Sequence, residues 1–167
     1  MNVRLRKLEP RDLPFLYRWE NDARVWADSD THNPLSEQDL RAYVESTTGD
    51  IYRDGQLRLI IEQYDGEQVL TAGCIDLFDF DPRNRKAAMG LYIAPYARHS
   101  GVGYEAVVQL EQYAFSILNL RVLYVVINEH NTSCLALYRR LNYTQIALLP
   151  HWTLEGTAFV LAKYNNL

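Results

Sequence analysis

Two periods of apolar and polar positions alternate along this chain, and the switches between them lay out its elements. The opening "VRLRKL" sets Val3, Leu5 and Leu8 against basic residues, the pattern of an edge-like first strand. "EPRDLPFLYRWENDARVW" then predicts a helix. Pro10 suits its first turn, Leu13, Leu16, Tyr17 and Trp19 or Glu20 fall near helical spacing, and Pro14 is tolerable only within that first turn. "SEQDLRAYVESTT" predicts a second helix, with Ser36 at the N-cap, Asp39 at N3 and a stripe of Leu40, Tyr43 and Val44.

The period then shortens. "QLRLIIEQY" and "QVLTAGCIDLF" flank Asp65-Gly66, a hairpin signal, and "FDPRNRK" is a second turn before the apolar strand "AAMGLYIA". From Tyr104 to Leu118, Val107, Leu110, Ala114 and Ile117 keep helical spacing. "RVLYVVIN" is nearly unbroken apolar and predicts a buried central strand. "TSCLALYRRLNY" returns to helix with Asn142 as a left-handed cap, and "TQIALL" and "GTAFVLAKY" close as strands around "LEG". The order β-α-α-β-β-β-α-β-α-β-β, without repeat or linker, predicts one α/β domain over 1–167: a mixed sheet with helices packed on it.

Composition narrows the partners. A chain of 167 residues with 48% hydrophobic and 23% charged residues has the make-up of an ordinary soluble protein. Its net charge of −4 argues against a nucleic-acid binder and is compatible with a cationic substrate. Cys74 and Cys134 lie in apolar segments, as small buried hydrophobes of a reducing compartment would. With neither a signal-peptide core at "MNVRLRKLEP" nor a run of membrane-spanning length, a cytoplasmic protein without membrane contact is expected. His32, His130 and His151 form no metal-ligand spacing, and no metal is expected.

The chemistry concentrates in "APYARHSGVGYEA", residues 94–106. Gly101 and Gly103 admit left-handed dihedrals and a close backbone approach, and the helix that follows leaves its first N–H groups free, so the turn suits an anion such as pyrophosphate. "GVGYEA" also matches the dinucleotide fingerprint G-x-G-x-x-A. That motif follows its strand directly, whereas Pro95 to Ser100 intervene here, and two hairpin-like strands precede it. Arg98, Gly101 and Gly103 match the alternative R-x-x-G-x-G. "INEHNTSCLALYRRLNY" supplies a second motif, carried by Asn128, Asn131, Leu137, Tyr138, Arg140, Leu141 and Tyr143. On these two motifs the sequence resembles the Gcn5-related N-acetyltransferases, most strongly over 85–143. Asn142 replaces the usual glycine of the second motif.

The resemblance implies acetyl-CoA as co-substrate and a twisted, mostly antiparallel sheet of about seven strands flanked by four helices. Its central parallel pair would be splayed around the pantetheine arm. It places Leu91, Tyr92 and Ile93 beside that arm, and Arg98, Ser100, Gly101, Val102, Gly103 and Tyr104 around the pyrophosphate. Asn131 and Ser133 would complete the cofactor set, and Tyr138 would be the general acid for the departing thiolate. Members of the spermidine and ribosomal-protein branch often carry a glutamate where Ala88 stands, and no carboxylate lies on 87–93. The base is then expected at Asp76, with Asp79 as the alternative, acting directly or through water. "WENDARVW" resembles the same branch, which points to a polyamine or a peptide N-terminal amine, with Trp26, Asp28 and Asp30 as acceptor contacts. The resemblance also allows a homodimer through the last two strands. Cys134, in a helix and expected buried, argues for direct transfer rather than an acetyl-enzyme. A non-catalytic acyl-CoA-binding module is the rival reading, and a nicotinamide-dinucleotide enzyme a distant third.

Overall fold

A computed structural model describes residues 2–29 and 31–165. Its seven strands are β1 (Asn2–Lys7), β2 (Leu57–Asp65), β3 (Gln68–Asp81), β4 (Lys86–Ile93), β5 (Val122–Asn128), β6 (Thr144–Thr153) and β7 (Gly156–Tyr164). They form one sheet in the order β1-β2-β3-β4-β5-β7-β6. Every neighbouring pair is antiparallel except β4–β5. The helices are α1 (Leu13–Glu20), α2 (Glu37–Ser46), α3 (Ile51–Asp54), α4 (Val102–Ser116) and α5 (Thr132–Arg140). The mixed sheet and four of the helices follow the sequence pattern; α3 spans only four residues, too short for periodicity to register.

Local chemistry sets the element ends. The predicted first helix is broken into three pieces: a 3-10 turn at Pro10–Asp12, then α1, then a second 3-10 stretch at Ala23–Asp28. Pro14 falls in the first turn of α1, where its missing N–H costs nothing. Asp22 ends the α1 segment because its side chain accepts from the Arg24 N–H and caps the next piece. On α2, Ser36 and Asp39 form a reciprocal capping box, as their spacing predicts. In the β2–β3 hairpin Asp65 still pairs, with Gln68, so Gly66 and Glu67 make the turn and Gly66 takes the positive φ of 60°. Asn142 sits at φ 65°, the left-handed position expected of it.

Each face of the sheet carries one pair of long helices. Ala87 and Met89 of β4 and Leu123, Val125 and Ile127 of β5 point into a core closed by Val107, Leu110 and Ala114 of α4 and Leu135 and Tyr138 of α5. Ile60, Cys74 and Ala94 face the other way, toward Leu16 and Trp19 of α1 and Leu40 and Val44 of α2. One expectation changes here. β5 is central but not buried throughout, because Val126, on the α1–α2 face, is 48% exposed. Among the described residues, no helix covers that part of the sheet. Such an opening over a central strand is where a ligand can reach it.

Candidate active site

The parallel pair is joined over only three positions, Lys86↔Val122, Ala87↔Leu123 and Ala88↔Tyr124. Beyond them the strands part. Residues 89–93 stay bound to β3 on one side, and 125–128 to β7 on the other. The two facing edges leave a slot of backbone donors and acceptors that need partners.

Strand alternation decides which groups line the slot. Arg85 O accepts from Arg121 N and Val122 N, so that residue presents its peptide groups toward β5. Ala94 N donates to Ala72 O, so position 94 faces β3. With two-residue periodicity, Met89, Leu91 and Ile93 turn their peptide groups toward β5, and past the last bridge Leu91 and the Ile93 N–H are left without a β5 partner. Tyr92 does not: its carbonyl oxygen turns toward β3 and would collide with any Cβ placed on Gly73. Of the three residues expected beside a pantetheine arm, Leu91 and Ile93 therefore offer backbone. Tyr92 offers its ring, packed 5.3 Å from that of Trp19 on the other face.

The glycine turn closes one end of the slot. Gly101 is left-handed at φ 88° and caps α4 without a side chain, and His99 is left-handed as well at φ 61°. Gly103 and Tyr104 lie in the first helical turn, where N–H groups have no acceptor within the helix. The Ser100 hydroxyl donates to Ala97 O at 2.7 Å and accepts from Val102 N at 3.4 Å, bracing the turn. Arg98 Nε donates to Ile93 O at 3.1 Å, which sets a guanidinium at the mouth of the slot. The structure thus brings Arg98 and the 100–104 turn together with Leu91 and Ile93. These residues fit a pyrophosphate followed by an amide-bearing arm, through the turn's positive φ and the unpaired strand edges.

Across the slot, Asn131 Oδ1 accepts from Cys134 N at 3.2 Å and caps α5, while Ser133 is exposed in the first turn. Tyr138, two turns on, is 1% exposed and packs edge-on to Tyr143 with ring centroids 5.0 Å apart. Burial pushes its phenol well above the ordinary value, helped by Cys134 and the charge of Glu111. Glu111 is held by Lys163 at 2.6 Å. Tyr138 is therefore kept protonated. Cys134 is half-buried, and burial lifts its thiol to about 12, with Asp28 adding to the effect. A thiol so poised is a poor nucleophile near neutrality.

The α1–α2 face carries a charged cluster whose centre, Arg58, motif reasoning missed. Arg58 of β2 grips Asp76 of β3 through two bonds, Nε–Oδ1 at 2.9 Å and Nη2–Oδ2 at 2.8 Å, and reaches Glu20 of α1 at 2.6 Å. The three side chains are only 20–22% exposed. Burial opposes the Arg58 charge, but Asp76 and Glu20 overcome that and hold the guanidinium well above its usual value. Asp76, expected as the base, has both oxygens engaged in this grip. Period-2 reading held the clue, since Arg58 is in phase with the buried Ile60. Trp26 donates from Nε1 to Glu20 O at 2.9 Å, tying the 3-10 stretch to the end of α1. Asp28 lies at the end of that stretch, near enough to α5 to act on Cys134. Asp30 lies outside the described residues.

Comparisons with known proteins agree with this geometry. Residues 2–144 match the family described as Acetyltransferase (GNAT) domain. The spermidine N(1)-acetyltransferase of Escherichia coli K12 is 27% identical over 172 aligned residues, covering 99% of this chain and 82% of the relative. A crystal structure of spermidine N-acetyltransferase from Vibrio cholerae in complex with CoA and spermine superposes with a TM-score of 0.84 at 20% identity, over 97% of this chain and 95% of the other. A dodecameric structure of spermidine N-acetyltransferase from Vibrio cholerae gives 0.78 at 21% identity, over 97% and 93%. The splayed pair, the glycine turn and a match over most of its length agree: this chain belongs to the GNAT acetyltransferase family.

Proposed function

We propose that the protein transfers the acetyl group of acetyl-CoA to a primary amine of a polyamine by direct attack, with a peptide N-terminal amine as the next acceptor class. The observation that carries this is the open slot between β4 and β5. One end is an anion turn, and its exposed floor on the α1–α2 face adjoins the carboxylates of Glu20 and Asp76. The Glu20–Arg58–Asp76 group carries one net negative charge, and Asp28 adds another on the neighbouring 3-10 stretch, while Asp22 is neutralised by Arg24; this suits a cationic chain over a neutral acceptor. Leu91 and Ile93 would hold the arm, Gly101 to Tyr104 the pyrophosphate, and Tyr138 would protonate the departing thiolate. Asn131 and Ser133 flank the arm from the start of α5. The substrates of the relatives support the polyamine reading.

Self-association belongs to the same proposal. β6 is an edge strand with Ile146, Leu148 and Trp152 about half or more exposed, and Leu154 fully exposed in the turn beyond it. A second copy of the chain would cover that face, and one structural relative is dodecameric. Among the described residues no helix is long and apolar enough to cross a membrane.

The glycine turn offers a direct check on the donor. Gly101→Val forces a β-branched residue into φ 88°, a strain of about 1–2 kcal/mol, and narrows the approach to the amides. The variant is expected to stay folded and lose most of the thermal stabilisation that acetyl-CoA gives the wild type. That stabilisation is about 3 kcal/mol at a hundredfold excess of ligand over Kd. An unchanged shift would mean that the donor does not sit on this turn. Release of free thiol from acetyl-CoA, measured against polyamines, N-terminal peptides and amino sugars, then identifies the acceptor. Stabilisation without release would favour a non-catalytic acyl-CoA-binding module.

A further inference from the structure

We infer that Asp79 is the proton acceptor for the incoming ammonium, working with Tyr124 across the small residue Ala88. The inference rests on the amine-acetyltransferase reading above and adds to it the group that makes the amine a nucleophile.

Asp79 stands at a break in the β3–β4 ladder. The register runs through Phe78↔Ala88 and resumes at Asp81↔Lys86, so Asp79 and Phe80 face one residue of β4. This is a β-bulge, and Asp79 takes φ 46°, a left-handed conformation that aspartate is among the few side chains to tolerate. Bulges re-aim side chains, and backbone strain of this kind gathers where function needs it. Here the displaced carboxylate lies at the closed end of the slot. Ala88↔Tyr124 is the last pair before the parallel strands part, and an arm running from the glycine turn past Ile93 and Leu91 brings its acyl end toward that pair.

Three further features converge there. Ala88 and Tyr124 both point to the open α1–α2 face, because their neighbours Ala87, Met89, Leu123 and Val125 all point into the opposite core. A methyl group at 88 lets the Asp79 carboxylate and the Tyr124 phenol meet across it; a larger side chain would stand between them. Val126, next on the same face, is the exposed residue of β5, so an acceptor can lie on this floor. Tyr124 also senses the carboxylate: burial raises its phenol, and the charge of Asp79 and a hydrogen bond to it raise it further. Tyr124 is the titratable group that faces Asp79 from β5. Asp76, Arg58 and Glu20 share the sheet face but are bound to one another. Asp79 has no such cation partner among the described residues.

The step balances. The ammonium yields one proton to the Asp79 carboxylate, directly or through one water, and the neutral nitrogen attacks the thioester carbon. The C–S bond breaks as the C–N bond closes, and the thiolate takes the phenolic proton of Tyr138. The nitrogen then loses its second proton, which restores Tyr138 through solvent, while Asp79 releases the first to bulk water.

The test is the pH dependence of thiol release by Asp79→Asn, Asp76→Asn and Tyr124→Phe beside the wild type, with spermidine as the probe amine. Asp79→Asn is expected to lower kcat about 10²-fold near pH 7.5 with the KM for acetyl-CoA unchanged. The deficit should shrink steadily toward pH 10, where solution itself supplies neutral amine. Tyr124→Phe should show the same trend with a smaller loss, and it reports even if Asp79→Asn fails to fold. Wild-type rates for Asp79→Asn, or a loss that does not vary with pH, overturn the inference. So does a pH-dependent deficit that appears only in Asp76→Asn. A wild type that binds acetyl-CoA yet releases no thiol with any amine removes the acetyltransferase reading itself, a result distinct from a normal wild type with a normal Asp79→Asn.

Discussion

Tyr138→Phe is expected to lower kcat by about 10²-fold while leaving acetyl-CoA affinity within twofold, because only the departing thiolate needs the phenolic proton. The ring packs at 5.0 Å against Tyr143 inside the α4–α5 core, and phenylalanine fills the same space, so the fold is expected to survive. The pH profile gives the sign. Burial, with Cys134 and Glu111, raises the Tyr138 pKa above its ordinary value near 10, so the acid form persists through the whole range below that. Wild-type kcat should therefore show no alkaline fall from this group up to about pH 10. An unaltered kcat in Tyr138→Phe, or an alkaline limb well below pH 10 assigned to this phenol, would remove its role as general acid.

The second large effect is expected at Arg58. Arg58→Met removes the cation that three charge-assisted bonds share and leaves Glu20 and Asp76 facing one another in a largely desolvated place. Breaking such a pair from one side costs on the order of 2–4 kcal/mol here, below the fully buried figure because the side chains keep about a fifth of their exposure. Denaturant unfolding should show the loss near pH 7. Arg58→Lys should recover only part of the stability, because an ammonium cannot reproduce the two parallel bonds to Asp76. A variant as stable as wild type at pH 7 would show that the grip contributes nothing to the fold.

Much of this architecture is legible in the sequence for a plain reason. The strands and the long helices each carry one clean apolar period, and the turns carry their own chemistry, as at Gly66, Ser36 and Asn142. The proposed donor side is legible too, because an anion turn needs glycine at a fixed place before a helix, and that requirement is local. The proposed acceptor side is assembled from distant segments. Arg58, Glu20 and Asp76 come from β2, α1 and β3, and no spacing along the chain announces their meeting. Asp79 and Tyr124 meet only because a bulge and a parallel register place Ala88 between them. The single long first helix failed for a local reason, the Asp22 side chain capping a new turn in the middle of it. The exposure of Val126 depends on where α1 and α2 do not reach, which its own apolar neighbours conceal.

The most direct test of the whole account is thiol release from acetyl-CoA by the wild-type protein, followed with and without a polyamine such as spermidine. The account predicts release that requires the amine, saturates with it and yields one acetylated amine per thiol. Stabilisation of the protein by acetyl-CoA without release in the presence of any polyamine, peptide amine or amino sugar would contradict it, leaving a slot that holds the donor and performs no transfer.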